Sequence, residues 1–495
     1  MTSFPQHIYR KYDIRGVYGK ELTEEIAFRT ARAFADLCRE RSGKDNPVIA
    51  IGMDARVHSP QLRDAFASGL AGSGCSWVDI GLCPTPLTYF STYKLEVDAF
   101  AMVTASHNPP GDNGFKLGIG YETIHSGDLE LLGNMASADD RPIKLDTAQP
   151  IRQVDIIGIY QEYILDAFSG LRDDLKALGT GFDVVVDSGN GTAGVVFPEI
   201  LKQLGMNVHE LYSEPDGTFP NHHPDPTLPE ALESLKAEIL RTESRLGISF
   251  DGDADRIGVL DENGDVIWGD MLLLILGREI IERWRQEGAV GEPPLVISEV
   301  KASQILYDGI RQAGGRVEMW KTGHSLIKAR MKETGAAAAG EMSGHLFFAD
   351  RFFGFDDALY GALRILEVFI RALLNGSCER FSELLGNIPN AVSTPEIRFP
   401  CEDETKFHLA EMFADALSKH MESSTDPIII EVIDIDGVRA RFDEGWGLLR
   451  ASNTQPVLVM RFEGPDKEKV HQYQEFFNRL LDKVSSELKA NSTEI

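Results

Sequence analysis

The stretch Met102-Val103-Thr104-Ala105-Ser106-His107-Asn108-Pro109-Pro110 runs small apolar residues into a serine, an imidazole, a carboxamide and two prolines. A strand that stops at Ser106 presents its hydroxyl on a rigid loop, so Ser106 is expected to carry the chemistry; an ordinary polar turn is the alternative. A second reactive stretch is Asp251-Gly252-Asp253-Ala254-Asp255-Arg256, which follows an apolar strand. Carboxylates at every second position can converge on one hard divalent cation, with Gly252 giving the loop room to curl. A calcium loop needs glycine at its sixth position and flanking helices. Here Arg256 stands at the sixth position and the flanks read as strands, so magnesium with a phosphoryl oxygen is the better fit.

Four further constellations could serve such a centre. Arg450-Ala451-Ser452-Asn453-Thr454 with Arg461 gathers guanidiniums, hydroxyls and an amide suited to a dianionic phosphate. In Gly340-Glu341-Met342-Ser343-Gly344-His345, Glu341 and Ser343 would point the same way if extended, which suits vicinal sugar hydroxyls. Lys321-Thr322-Gly323-His324-Ser325 adds a cation and an imidazole; for His324 and for His345 a core histidine is the alternative. Gly189-Asn190-Gly191-Thr192-Ala193-Gly194 is a full G-x-G-x-x-G between strand and helix, with Glu210 or Glu214 near the place of a ribose acid. Taken alone it would suggest an NAD(P)-dependent oxidoreductase. Nothing in the Ser106 or Asp251 stretches serves hydride transfer, so a tight strand-to-helix turn is favoured. Tyr12-Asp13-Ile14-Arg15-Gly16 says little without context.

The elements that must position these residues read as four parts: 1–154, 155–265, 266–385 and 386–495. In the first, strands Val48 to Gly52, Trp77 to Gly81 and Ala99 to Thr104 alternate with helices, one capped by Ser59 ahead of Pro60; this implies a mostly parallel sheet with ligands at the strand ends. The second and third parts repeat the rhythm. The second includes a Pro- and His-rich loop, Asp216 to Pro226, and a turn at Glu262 to Asp265. Past residue 386, a helix is followed by four strands and a closing helix from Lys467, an α+β order with an antiparallel sheet. Ser485 to Ile495 reads as a loose tail.

Composition limits the partners. The 495 residues are 43% hydrophobic and 25% charged, and 77 acidic against 49 basic residues give a formal charge of -28. So acidic a surface repels phosphate backbones and argues against nucleic acid, while an anionic substrate needs a local basic pocket. The cysteines are odd in number, with no C-x-x-C pair, which fits a reducing cytoplasm. Residues 1–9 lack an apolar core and do not read as a signal peptide, and no apolar run is long enough to span a membrane.

Six motifs in order, from Tyr12-Asp-Ile-Arg15-Gly through the Ser106, Asp251, Lys321, Gly340 and Arg450 stretches, resemble the α-D-phosphohexomutase superfamily. Met342 and Gly344 resemble its bacterial phosphomannomutase/phosphoglucomutase branch most. The resemblance implies three related α/β domains, with mixed, mostly parallel sheets, plus a C-terminal α+β domain around a central cleft. It implies a phosphorylated Ser106 that holds one Mg²⁺ with Asp251, Asp253 and Asp255, and Lys116 and Arg256 beside the phosphoryl group. Lys301, His324, Glu341, Ser343 and His345 would face the sugar, and Arg450, Ser452, Asn453, Thr454 and Arg461 would bind the non-transferred phosphate; Tyr12 and Arg15 would complete the first-domain wall.

The reaction so implied is isomerisation of mannose or glucose 6-phosphate and 1-phosphate through a hexose 1,6-bisphosphate, which is both intermediate and activator. A hinge before the fourth domain would let that intermediate turn. Phosphoglucosamine mutase is the sister possibility. Sugar phosphates would be the partners of a monomer or weak homodimer. Ala254 where glycine is common, and Met53 where arginine is frequent, depart from the pattern without removing a ligand.

Overall fold

The structure, a computed structural model, describes residues 4–493 except 387, 390, 424, 425 and 453–455. The first sheet is built on Ala99–Val103, every residue of which is buried. It pairs in parallel with Val48–Met53, which pairs in parallel with Ser76–Leu82. Strands covered by helices on both faces read as continuous apolar runs, which is why these were legible in the sequence. The antiparallel half was not. Asp112–Ile119 turns back along Ala99–Val103, and Ile14–Val17 pairs antiparallel beyond it. Its glycines conceal it: a Cβ on Gly114 would lie 1.9 Å from the Ile14 carbonyl oxygen. This hairpin sets Lys116 opposite Met102, four residues before Ser106. Ser59 opens the helix Ser59–Gly72, but it does not cap it; its hydroxyl donates to Asp54 Oδ1 at 2.6 Å.

The second sheet runs in the order Val266–Ile267, Ile257–Asp261, Leu246–Phe250, Asp183–Asp187, Asn207–Leu211. Phe250 faces Ile257 across an antiparallel pair, so residues 251–256 form one tight hairpin connection. The expected turn after it is present: Asp261 Oδ1 accepts from the amides of Asn263 and Asp265, and Gly264 takes φ +76°. In the third region Leu295–Glu299 and Arg316–Trp320 are parallel, while Ala338–Gly340 and Leu346–Phe348 are antiparallel. The helix Ala358–Asn375 is capped by Asp357, which accepts from the Tyr360 amide at 2.9 Å.

The last domain has an antiparallel sheet that includes Ile429–Ile433, Val438–Phe442, Trp446–Ala451 and Val457–Gly464. Its two faces differ. Ala440, Phe442, Leu449, Met460 and Phe462 share an apolar core with helices Asp403–Ser423 and Lys467–Thr493. Arg439, Trp446, Leu448, Arg450 and Arg461 belong to the other face, as the register Arg439↔Leu448↔Arg461 requires. The expected loose tail is helical through Thr493; residues 494 and 495 lie outside the described residues. By its internal contacts the chain divides into two compact units, Met1–Pro294 with Gly323–Gly386, and Leu295–Thr322 with Asn387–Ile495.

Candidate active site

Three loops stack at the end of Ala99–Val103. Ser106 is 1% exposed and left-handed, with φ +52°, a conformation that costs a non-glycine residue about 1 kcal/mol. Its hydroxyl donates to Asp251 Oδ2 at 2.6 Å and lies 3.0 Å from His107 Nδ1, and its amide donates to Thr104 Oγ1. Gly252 lies against the Ser106 carbonyl, where a Cβ would come within 2.7 Å of that oxygen. Gly191 in turn lies against Gly252, with the same 2.7 Å separation from the Gly252 oxygen.

The G-x-G-x-x-G therefore serves close packing behind the acid loop. The amides of Gly189, Asn190, Gly191 and Thr192 donate to Asp187 Oδ1 and to the carbonyls of Tyr212, Ser188 and Gly252. Those four donors are spent within the protein and not on a ligand, and the glycines pack against neighbouring backbone, so a tight turn is the role the structure shows. Gly252→Ala is expected to displace the serine loop and lower kcat by about 10²-fold. Steady-state kinetics of the folded variant check this, and a wild-type kcat would contradict the close packing.

Asp251, Asp253 and Asp255 are fully buried, and one carboxylate oxygen from each lies within 4.8 Å of the others. Burial, then the Asp253 and Asp255 charges, push the Asp251 carboxyl well up. Asp253 Oδ1 is buried without a hydrogen-bond partner. Clustered buried carboxylates with an unmet acceptor are what a hard divalent cation satisfies, so the residues fit Mg²⁺.

Lys116, 3% exposed, reaches the same carboxylates, with Nζ 2.7 Å from Asp253 Oδ2 and bonded also to Asp255. Burial alone would lower its pKa, but these two charges outweigh burial and raise it. Asp255 is held well below the usual range: burial opposes, and Lys116 and His345 prevail. Thr85 fixes Asp253 from behind, its hydroxyl donating to Oδ2 at 2.5 Å and its amide to the Asp253 carbonyl at 2.9 Å. Ala254 takes φ +57°, which is the physical reason glycine suits that position.

Beside the acids, His345 Nδ1 lies 2.7 Å from Glu341 Oε2 and Nε2 lies 3.3 Å from Asp255 Oδ1. Burial pulls this ring down, yet the carboxylates hold it at about 9. His324, 5.6 Å away between ring centroids, is pushed well below its ordinary value by burial and then by Lys328 and Lys116. Residues 341–344 form a turn, not an extended run, closed by Gly344 N donating to the Glu341 carbonyl. The reason is local: Gly344 takes φ +96° against the Ile257 backbone. Ser343 consequently lies near His345, 3.4 Å from Nδ1, and Glu341 also accepts from the Gly323 amide. Arg256 Nε lies 3.4 Å from His345 Nε2. Arg15 donates to Asp13 and, at 2.7 Å, to Asn108 Oδ1 in the serine loop, while the Tyr12 ring meets His324 edge-on.

In the second unit, guanidiniums hold the backbone around Lys301. Arg439 donates to the Val300 and Ala302 carbonyls at 2.7 Å each, and Arg461 to the Lys301 carbonyl at 2.5 Å. The Lys301 ammonium lies 3.0 Å from Glu396, which it holds far below the usual carboxylate range, and 3.5 Å from Glu299. Arg450 pairs with Asp436 at 3.0 Å, and Ser452 follows it at the strand end. Asn453 and Thr454 lie outside the described residues.

Sequence reasoning passed over Asp54, Arg56 and Thr85. The motif signal for Thr85 was its place between two prolines, Pro84 and Pro86; Arg56 offered only its spacing from Asp54.

Known proteins place these observations in one lineage. The descriptions of phosphoglucomutase/phosphomannomutase α/β/α domains I, II and III match residues 6–128, 160–264 and 268–390, and that of the C-terminal domain matches 396–480. The chain is 40% identical over 487 residues to a phosphomannomutase/phosphoglucomutase of Pseudomonas aeruginosa, covering 98% of both proteins. It is 37% identical over 484 residues to a phosphoglucomutase of Neisseria gonorrhoeae, covering 97% of this chain and 98% of the other. A crystal structure of a phosphoglucomutase/phosphomannomutase family protein from Burkholderia thailandensis superposes with TM-score 0.82 at 35% identity, covering 97% of this chain and 98% of that one. Matching in all four domains and along its length, the chain belongs to the phosphoglucomutase/phosphomannomutase family.

Proposed function

We propose that the protein interconverts hexose 6-phosphates and hexose 1-phosphates, of mannose, glucose or both, with Ser106 as the phosphoryl store. The observation that carries this reading is the Ser106 hydroxyl, buried and 2.6 Å from the first of three converging carboxylates. Names borne by relatives, phosphomannomutase/phosphoglucomutase and phosphoglucomutase, support the substrate class. Phosphorylated Ser106 gives its phosphoryl group to the free sugar hydroxyl, which loses its proton and becomes a phosphate ester. The resulting hexose 1,6-bisphosphate reorients and returns its other phosphoryl group to Ser106, so phosphate is conserved over the cycle.

Asp251, Asp253 and Asp255 would hold Mg²⁺, which when bound neutralises charge on the transferring group. Lys116 and Arg256 add positive charge beside it. His324, kept neutral by burial, suits acceptance of the sugar proton in the first transfer and its return in the second, while His345, an imidazolium at neutral pH, adds positive charge beside Asp255. Glu341, Ser343 and Lys301 orient hydroxyls, and Tyr12 and Arg15 close the wall beside Asn108. Arg450, Ser452, Asn453, Thr454 and Arg461 grip the phosphate that is not transferred.

Arg450→Ala is expected to raise KM by ~10-fold or more, the worth of a charge-assisted hydrogen bond, with a smaller change in kcat. An unchanged KM would remove Arg450 from the phosphate grip. The five free cysteines suit a reducing cytoplasm, and no described helix is long and apolar enough to cross a membrane. The reading as a whole is tested by kcat/KM for mannose, glucose and glucosamine phosphates with Mg²⁺ and a hexose 1,6-bisphosphate primer. Interconversion of the first two is expected. Preference for glucosamine phosphate would shift the protein to the sister activity, and no turnover of any would overturn the proposal.

A further inference from the structure

Arg56 is 1% exposed, among the largest fully buried side chains, and the chemistry above gives it no role. All five of its N–H donors are spent. Nε donates to Asp54 Oδ2 at 3.1 Å. The four Nη hydrogens go to backbone carbonyls of the serine loop: Ser106 and Asn108 at 2.7 Å each, Pro109 at 2.6 Å and Asp112 at 3.0 Å. Asp54 is itself anchored, accepting from Ser59 Oγ and the Arg56 amide, while its own amide donates to the Val103 carbonyl. The open face of the guanidinium lies over the Phe219 ring, 5.2 Å from its centroid. Phe219 comes from the Pro- and His-rich loop of the second domain and is left-handed, with φ +48°. That loop is tied down at both ends. Gly217 packs on the Ala55–Val57 backbone, where a Cβ would lie 2.3 Å from the Ala55 oxygen, and His222 pairs with buried Asp187 at 3.0 Å.

We infer that Arg56 is the positioning residue that aims the phosphoryl-carrying serine, and that the 216–226 loop is its backstop. The inference rests on the proposed mutase reading. A left-handed serine is unfavourable unless its surroundings over-determine it. The bond from Arg56 to the Ser106 carbonyl fixes the peptide plane that follows the serine, and the other three bonds fix the turn that returns the chain to Asp112. The side chain is thereby held toward Asp251 whether or not it carries a phosphoryl group, since none of the Arg56 bonds involves Oγ. A lysine cannot reproduce this, because three rotatable donors cannot fill a planar fork of five.

The test compares Arg56→Lys, Arg56→Ala and Phe219→Leu with Arg364→Met. Arg364 is also fully buried, but its partners are Glu279, Asp350 and Glu367. Two readouts are taken at a temperature where each variant is folded: steady-state kinetics, and the rate at which metal-loaded, dephosphorylated enzyme gains one phosphoryl mass from glucose 1,6-bisphosphate. Arg56→Lys and Arg56→Ala are expected to lose about 10²-fold in kcat and in phosphoryl uptake at nearly unchanged KM. Added guanidinium at tens of millimolar should restore part of the loss in Arg56→Ala and none in Arg56→Lys. Arg364→Met should lower Tm alone.

If Arg56→Lys matches that control, with wild-type kcat and uptake, the inference is overturned while the mutase reading stands. Wild-type protein that neither turns over sugar phosphates nor takes up the phosphoryl group overturns both. Should Arg56→Ala fail to fold, Arg56→Lys and Phe219→Leu decide the matter, the latter expected to lose several-fold in kcat and, if unchanged, removing the backstop role.

Discussion

Ser106→Ala is expected to lower kcat by at least ~10³-fold with little effect on stability, because on the proposed reading the loss removes the group that changes covalent partners and not one of several stabilising contacts. The methyl group left behind fits the same space. The left-handed backbone is held by Arg56, Thr104 and Gly252, none of which touches Oγ except through the loop itself. Asp251 would lose one donor, but its Oδ1 keeps the amides of Asp255 and Arg256. The variant should therefore fold, bind Mg²⁺ and bind sugar phosphates without turning them over. Turnover near wild type would remove Ser106 from the reaction path.

The second large effect concerns Lys116. Its ammonium is bonded to two of the three buried carboxylates, Asp253 and Asp255. Lys116→Met keeps most of the length of the side chain and deletes the charge. Leaving buried carboxylates without their counter-ion is expected to destabilise metal-free protein by about 3–5 kcal/mol. On the proposed reading Mg²⁺ binds only the folded site, so it should recover more stability in the variant than in the wild type. Activity should not follow: with Mg²⁺ saturating, kcat is expected to remain down by about 10²-fold, since the second positive charge at the transferring group is gone. Urea unfolding in chelator and in Mg²⁺ checks the first part, and equal metal-free stabilities would contradict it.

How much of this could be read in advance depended on how local each device is. The acid loop was legible because its carboxylates sit within six residues of one hairpin, and the strands on either side are largely apolar and buried throughout. The serine loop was legible from one side, where the apolar run Ala99–Val103 gives way to a serine, an imidazole and two prolines. Lys116 was reachable only through resemblance, since its strand carries Asn113, Gly114 and Gly118 and shows no apolar period. Glu341 and Ser343 were misplaced by assuming an extended chain where Gly344 forces a turn. In the last domain the antiparallel α+β order was legible but the difference between the sheet's two faces was not: Trp446–Ala451 is buried on both faces, so alternation between an apolar side and a side of arginines left no pattern of exposure.

The G-x-G-x-x-G shows the converse. Its spacing fits a nucleotide loop, and only the placement of Gly191 against Gly252 shows what those glycines do. Arg56 is the extreme case. Its partners are backbone carbonyls about fifty residues away in the chain, which no residue type announces.

The most direct test follows one phosphoryl group. Enzyme phosphorylated with labelled phosphate is mixed with unlabelled mannose or glucose 6-phosphate and quenched within a single turnover. The account predicts that label maps to Ser106 before mixing, passes to hexose 1,6-bisphosphate, and appears in released hexose 1-phosphate. Product formation while the label stays on Ser106, or label mapping to another residue, would contradict it.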